Sequence, residues 1–155
     1  MKYLKILLVL SSILLLNSCG YKKLNSEKID NFKINEIEIN GERKFAYKLK
    51  NNIKIYSSQN SKIIYDIKIN LTSIKETKLK NTAGKTTRYS TKFKAEALIT
   101  NVNTQNVFKR SFISTNDFDV GTTHSDTLNN EKNATENNIN YISNEIIKYL
   151  ALLNI

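Results

Sequence analysis

The chain has 155 residues, 40% of them hydrophobic, with one cysteine, one histidine and no proline. That length accommodates one ordinary domain with a real core, and the lone cysteine excludes an internal disulfide. The formal net charge of +10 fits either an anionic partner or a simply solvated surface.

In chain order, a leader comes first. Lys2 and Lys5 accompany an apolar run from Leu4 to Leu16, which beyond Lys5 is broken only by Ser11 and Ser12. The run is 13 residues long. A transmembrane helix takes about 20, so the length suits the apolar segment of a secretory leader. The run ends in Leu16-Asn17-Ser18-Cys19-Gly20, which resembles a bacterial lipobox: Leu three places before Cys, and a small residue just before it. Residues 1–18 are then a signal peptide cleaved between Ser18 and Cys19. The Cys19 thiol carries a diacylglycerol and its new amino group an acyl chain. Each buried CH₂ contributes about 0.8 kcal/mol, so two or three chains hold a protein on a membrane. An uncleaved anchor with a chance cysteine is the competing reading. By resemblance to the sorting rule of bacterial lipoproteins, in which Asp after the Cys favours the inner membrane, Gly20 directs the expectation to the outer membrane, facing the periplasm of a Gram-negative cell. With Cys19 acylated, a Cys/His metal cluster is excluded, and no other cofactor is expected.

Residues 19–30 read as a lipidated tether, and residues 31–155 as a single domain. Phe32-Lys33-Ile34 and Ile37-Glu38-Ile39 alternate with a slip at Asn35-Glu36, which predicts a strand over 32–39 with a bulge. Phe45, Leu49, Ile53 and Tyr56 recur at helical spacing among lysines, which predicts an amphipathic helix over 42–56, with Asn40 or Gly41 near its cap. Ile63, Tyr65, Ile67, Ile69 and Leu71 alternate with Ile64, Asp66, Lys68, Asn70 and Thr72: a strand over 62–74. A polar stretch runs from Lys75 to Lys85. Two further strands are expected, over 86–100 and Val107–Ser114, joined by the turn Asn101–Asn106. Thr115–Ser125 reads as a loop. A last helix is expected over 126–153, with Ser125 or Asp126 as cap and a stripe of Leu128, Thr135, Ile139, Ile142, Ile146, Leu150 and Leu153. The fold class is therefore α+β, in the order β-α-β-β-β-α: two helices packed on one face of a four-stranded, mixed, mainly antiparallel sheet.

Charge is unevenly distributed. Residues 41–110 carry 16 basic and 4 acidic side chains, whereas residues 111–155 carry 2 basic and 6 acidic. This division predicts a two-faced molecule. A secreted protein meets little nucleic acid, so lipopolysaccharide phosphates, anionic headgroups or an acidic protein surface are the expected partners. Lys75, Lys78, Lys80, Lys85 and Arg88 gather around one strand–strand connection, with Lys92 and Lys94 following. Such a cluster can meet several phosphates at once, and Arg88 can hold one by a two-pronged contact. A merely solvated loop is the alternative. Catalytic machinery is not expected. His124-Ser125-Asp126 are neighbours in sequence, whereas a triad is a spatial arrangement. The Gly84-Lys85-Thr86 of residues 82–87 lacks the first glycine of a phosphate loop and joins two strands rather than a strand and a helix.

Four segments carry a family resemblance. Leu16-Asn17-Ser18-Cys19-Gly20-Tyr21 sets Gly and an aromatic behind the lipobox. Thr86-Thr87-Arg88-Tyr89 opens a strand on an Arg. Ala97-Leu98-Ile99-Thr100 leads into a short turn. Asn116-Asp117-Phe118 sets an aromatic beside Asn and Asp before the last helix. In this order and spacing, nearly the whole chain resembles the lipopolysaccharide-assembly lipoprotein family LptE, also called RlpB. Lys22-Lys23 stand where that family often has proline. The resemblance implies a non-enzymatic plug inside an LptD-type outer-membrane β-barrel. Such a plug helps assemble the barrel, binds lipopolysaccharide and delivers it to the outer leaflet. A lipoprotein that binds anionic lipid or another polyanion without a barrel partner is the alternative.

Overall fold

In the middle of the chain Ile67, Ile69 and Leu71 are buried, while Lys68, Asn70 and Thr72 are exposed. That is the period-2 pattern of a strand with one face on a core. A computed structural model gives the fold and describes residues 32–153. The expected signal peptide 1–18, the expected cleavage and lipidation site Ser18–Cys19 and the expected tether 19–30 lie outside the described residues. The elements are β1 (Lys33–Gly41), α1 (Arg43–Lys54), β2 (Ile64–Lys80), β3 (Thr86–Asn101), β4 (Val107–Asp119) and α2 (His124–Leu152). Their order is the expected one, and the fold is α+β. The sheet runs β1-β2-β3-β4. β1 is parallel to β2, and the other two pairings are antiparallel.

Both helices cover the same face. Leu49 and Ile53 of α1 and Ile139, Ile142, Ile146 and Leu150 of α2 meet Ile67, Ile69 and Leu71 of β2 and Phe93, Ala95, Ala97 and Ile99 of β3 in one core. Phe45 closes it edge-on against Phe93, with ring centroids 5.3 Å apart. The stripe of α1 is thus spent on its own sheet. The slip in β1 is a bulge, with the register shifting between Ile34 and Glu36. It lets Ile34 and Ile37, three residues apart, both face the core. Asp66 Oδ1 accepts from Asn35 Nδ2 at 2.8 Å and from the Glu36 N–H at 3.2 Å.

Several boundaries differ from the sequence expectation. β2 continues to Lys80, because Lys75–Lys80 pairs with Thr86–Thr91 and needs no apolar face to satisfy its backbone. β4 continues to Asp119, since Thr115–Asp119 pairs with Arg88–Lys92. α1 follows Glu42, with no side-chain cap bond. α2 begins at His124 behind Thr123, whose Oγ1 accepts from the Asp126 N–H while Asp126 Oδ2 accepts from the Thr123 N–H. This is a reciprocal capping box, in which Asp126 is the third helical residue rather than the cap. Leu128 of the expected stripe is half exposed.

Candidate functional site

Past Ser73, every residue of β2 is exposed. With the start of β3 it makes a projecting hairpin. The tip is folded by Asn81, whose Oδ1 accepts from the N–H groups of Ala83 at 3.1 Å and Lys85 at 2.9 Å. Gly84 takes φ +78 there. The Gly-Lys-Thr segment is thus a hairpin turn stabilised by an Asx contact.

The five cations expected around this connection split into two groups. Arg88 forks onto Asp119, with Nε donating to Oδ1 at 2.6 Å and Nη2 to Oδ2 at 3.2 Å. Lys78 reaches across the sheet to Asp117. Lys75 stands on the helical side, 2.6 Å from Glu131 Oε2. Its Nζ also lies 4.7 Å from the Tyr89 ring centroid and 5.1 Å from that of Phe118, two rings stacked at 5.5 Å. These three are matched within the chain. Lys80 and Lys85 flank the hairpin tip, exposed, and neither has an ion-pair partner among the described residues. Lys92 is likewise exposed, and Lys94 pairs with Glu96 at 2.6 Å.

The two charge blocks therefore interlock in space rather than forming two opposed faces. β4 lies antiparallel beside β3 and α2 returns across the sheet, so the late carboxylates reach the earlier cations. Glu136 extends the series, 3.0 Å from Lys48. The Lys78 hydrogen bond, helped by Ser90, holds the Asp117 carboxyl below its ordinary range. The Arg88 hydrogen bond does the same for Asp119. Lowered carboxylates stabilise above the ordinary carboxyl pKa, and the contribution is lost as pH falls through the lowered values. In an NMR titration, the Arg88 Nε–H resonance is expected to move with a midpoint below about 3.9, the usual aspartate value. A midpoint at or above that value would refute the pairing.

Behind the hairpin lies a polar cluster that sequence reasoning missed. Asn138, fully buried on α2, takes hydrogen bonds from Ser114 and Asn116 and gives two to Thr91. Its only signal was an amide lying inside the apolar stripe, four residues before Ile142. Other features of the site are modest. The grooves beside it, such as that lined by Lys85, Tyr89, Gly121 and His124, are open to solvent. Among the described residues no group of three His, Cys, Asp or Glu side chains could hold a metal. Nor, among them, is any helix long and apolar enough to cross a membrane.

No family model matches the chain, and no curated protein does. Solved structures share its fold. One is a protein from Caulobacter crescentus CB15 described provisionally as a lipoprotein, 10% identical, with a TM-score of 0.58 over 81% of this chain and 91% of that one. Another is the rare lipoprotein B from Shewanella oneidensis, 8% identical, with a TM-score of 0.58 over 77% of this chain and 96% of that one. A third is an uncharacterized lipoprotein B from Nitrosomonas europaea, 9% identical, with a TM-score of 0.51 over 81% and 87%. The likeness is one of fold. It spans most of the described residues and nearly the whole of each neighbour.

Proposed function

We propose that this chain is a non-enzymatic, lipid-anchored outer-membrane lipoprotein of the LptE (RlpB) type. It sits in the lumen of an LptD-type β-barrel, supports the assembly of that barrel and handles lipopolysaccharide. The observation that carries this reading is the shared fold with the rare lipoprotein B of Shewanella oneidensis, in a chain whose apolar run and Leu16–Cys19 segment also resemble a leader and its lipobox. A domain edged with paired charges suits the polar lumen of a large barrel. Within it, Lys80 and Lys85 are the cations that fit a phosphorylated glycolipid best, because Lys75, Lys78 and Arg88 already have carboxylate partners.

The test is extraction of the native lipidated protein from outer membranes in mild detergent, followed by mass spectrometry. Stoichiometric recovery of a large β-barrel protein is expected, and recovery as a barrel-free species would sink the reading. A second arm measures binding of purified lipopolysaccharide at low salt. Lys80→Gln with Lys85→Gln is expected to weaken it about fivefold, the scale of two exposed charge contacts. An unchanged affinity would remove the hairpin tip from the ligand site.

A further inference from the structure

The two edges of the sheet are treated differently. On β1, Ile34 N–H donates to Ser57 Oγ at 2.9 Å, and the Phe32 carbonyl accepts from the Ser58 N–H at 2.9 Å. The bulge at Asn35 and the exposed Glu36 and Glu38 interrupt the rest. These are the usual devices that stop an edge strand from pairing.

β4 has none of them along its centre. Its ladder with β3 has no register shift. Val120 N–H donates to the Thr87 carbonyl at 2.9 Å, and Asn101 N–H to the Asn106 carbonyl at 2.9 Å. Even-numbered residues therefore spend their backbone groups on β3, so Lys109, Ser111, Ile113, Thr115 and Asp117 aim theirs outward. Among the described residues no hydrogen bond is made to those outward groups. The run stops at Asp119, whose carbonyl accepts from Asn130 Nδ2 at 3.0 Å. The side chains between the ends, Ser111, Ile113 and Thr115, are uncharged and exposed, and Ile113 is 49% exposed. On the helical side Tyr141, 53% exposed, flanks the same stretch, and both line one open groove.

We propose that β4 is a self-complementary edge, which pairs antiparallel with β4 of a second copy of this chain about a two-fold axis at Ile113. Three features single out that occupant. An antiparallel pair centred on Ile113 sets outward-facing residues opposite outward-facing ones all along: Ser111 faces Thr115 of the second copy, and Lys109 faces Asp117. The charges at the two ends are opposite, and symmetry uses each twice. Lys109 also has no ion-pair partner among the described residues, so Asp117 gains a second cation beside Lys78. At the centre the two Ile113 side chains lie side by side on the open face of the sheet. The product is one continuous eight-stranded sheet. This concerns the chain by itself and stands whether or not a barrel receives it.

Full-length protein in detergent tests the pairing by disulfide trapping and sedimentation. Ile113→Cys is expected to give a disulfide-linked dimer under mild oxidation, since hydrogen-bonded antiparallel neighbours have Cα atoms about 5.5 Å apart. Lys109→Cys alone is expected to stay unlinked, whereas Lys109→Cys with Asp117→Cys links. The unsubstituted chain under the same oxidation reports any contribution from Cys19. By sedimentation the unsubstituted chain is expected to be dimeric at high-micromolar concentration. Ile113→Lys, which sets like charges directly opposite each other, is expected to weaken the dimer at least tenfold, with an unchanged circular dichroism spectrum. A monomeric unsubstituted chain, a dimer indifferent to Ile113→Lys, or linkage through Lys109→Cys alone would each overturn the proposal.

Discussion

Replacing Asn138 with leucine is expected to destabilise the domain by about 3 kcal/mol, the scale of stranding buried hydrogen-bonding groups. For a domain of this size that lowers Tm by roughly 10 °C. Asn138 is fully buried. Its Oδ1 accepts from Ser114 Oγ and Asn116 Nδ2, each at 2.7 Å. Its Nδ2 donates to the Thr91 carbonyl at 3.1 Å and to Thr91 Oγ1 at 3.0 Å. One amide thus ties α2 to both β3 and β4. Leucine has nearly the same shape, so little cavity opens. The loss comes from the groups left behind, chiefly the Ser114 hydroxyl and the Asn116 amide. Among the described residues every buried side-chain polar atom is hydrogen-bonded, so no spare partner waits nearby.

Aspartate at position 138 separates this account from simple packing. Its carboxylate keeps the two incoming bonds but cannot donate to Thr91, and burial penalises its charge. The folded state then holds the proton more tightly than the unfolded one. Stability is therefore greatest below the unfolded aspartate pKa and is lost as pH rises through the raised folded value. Urea unfolding at several pH values measures both effects. If Asn138→Leu keeps native stability within about 1 kcal/mol, the error range of the general figure, the network is not what holds the helix to the sheet.

The elements legible in the sequence were those with an apolar face. Ile63–Leu71 and Tyr89–Ile99 announce strands because every second side chain enters the core. The stripe Thr135, Ile139, Ile142, Ile146, Leu150 announces α2 for the same reason. The β1 bulge was legible too, since a slip in alternation has one cheap structural solution. Lys75–Lys80 and Thr115–Asp119 were not. Neither buries a continuous face, and Asn and Asp disfavour strands taken alone. They are strands because β3 lies between them and offers its backbone to both, so tertiary pairing overrides local propensity.

The candidate site was legible in composition but not in state. The five basic residues flank one connection, but three of them turn to separate carboxylates. Which of them keep an open charge depended on partners 39 residues away for Lys78, 31 for Arg88 and 56 for Lys75. Charge blocks counted along a chain say nothing about such neighbours. An antiparallel return can place a late acidic segment against an early basic one, and β4 and α2 both do so. The consequence is a shift in where a phosphate is expected, from the strand faces to the hairpin tip at Lys80 and Lys85.

Gly41→Ala is expected to cost more than about 3 kcal/mol, a large share of the stability of an ordinary domain. Gly41 ends β1, and only Glu42 separates it from α1. The chain must leave the sheet and cross to the helical layer within that space, and it does so with φ +96 at Gly41. A Cβ there would stand 2.1 Å from the Leu71 carbonyl oxygen and 3.1 Å from its carbon. The clash is with the backbone of β2, so no side-chain rotation relieves it. That same oxygen accepts from the Glu42 N–H at 3.0 Å, so moving it away breaks the bond that fixes the start of α1. Gly84 supplies the control. Its φ is also positive, but a Cβ there meets nothing within 4 Å. Gly84→Ala therefore carries only the left-handed backbone penalty of about 1–2 kcal/mol. Thermal unfolding of the two variants beside the unsubstituted chain should show a small shift for Gly84→Ala. Gly41→Ala should show a much larger one, or no cooperative transition at all. Equal shifts at the two positions would mean that backbone conformation alone, and not the approach of β1 to Leu71, requires glycine at the turn into α1.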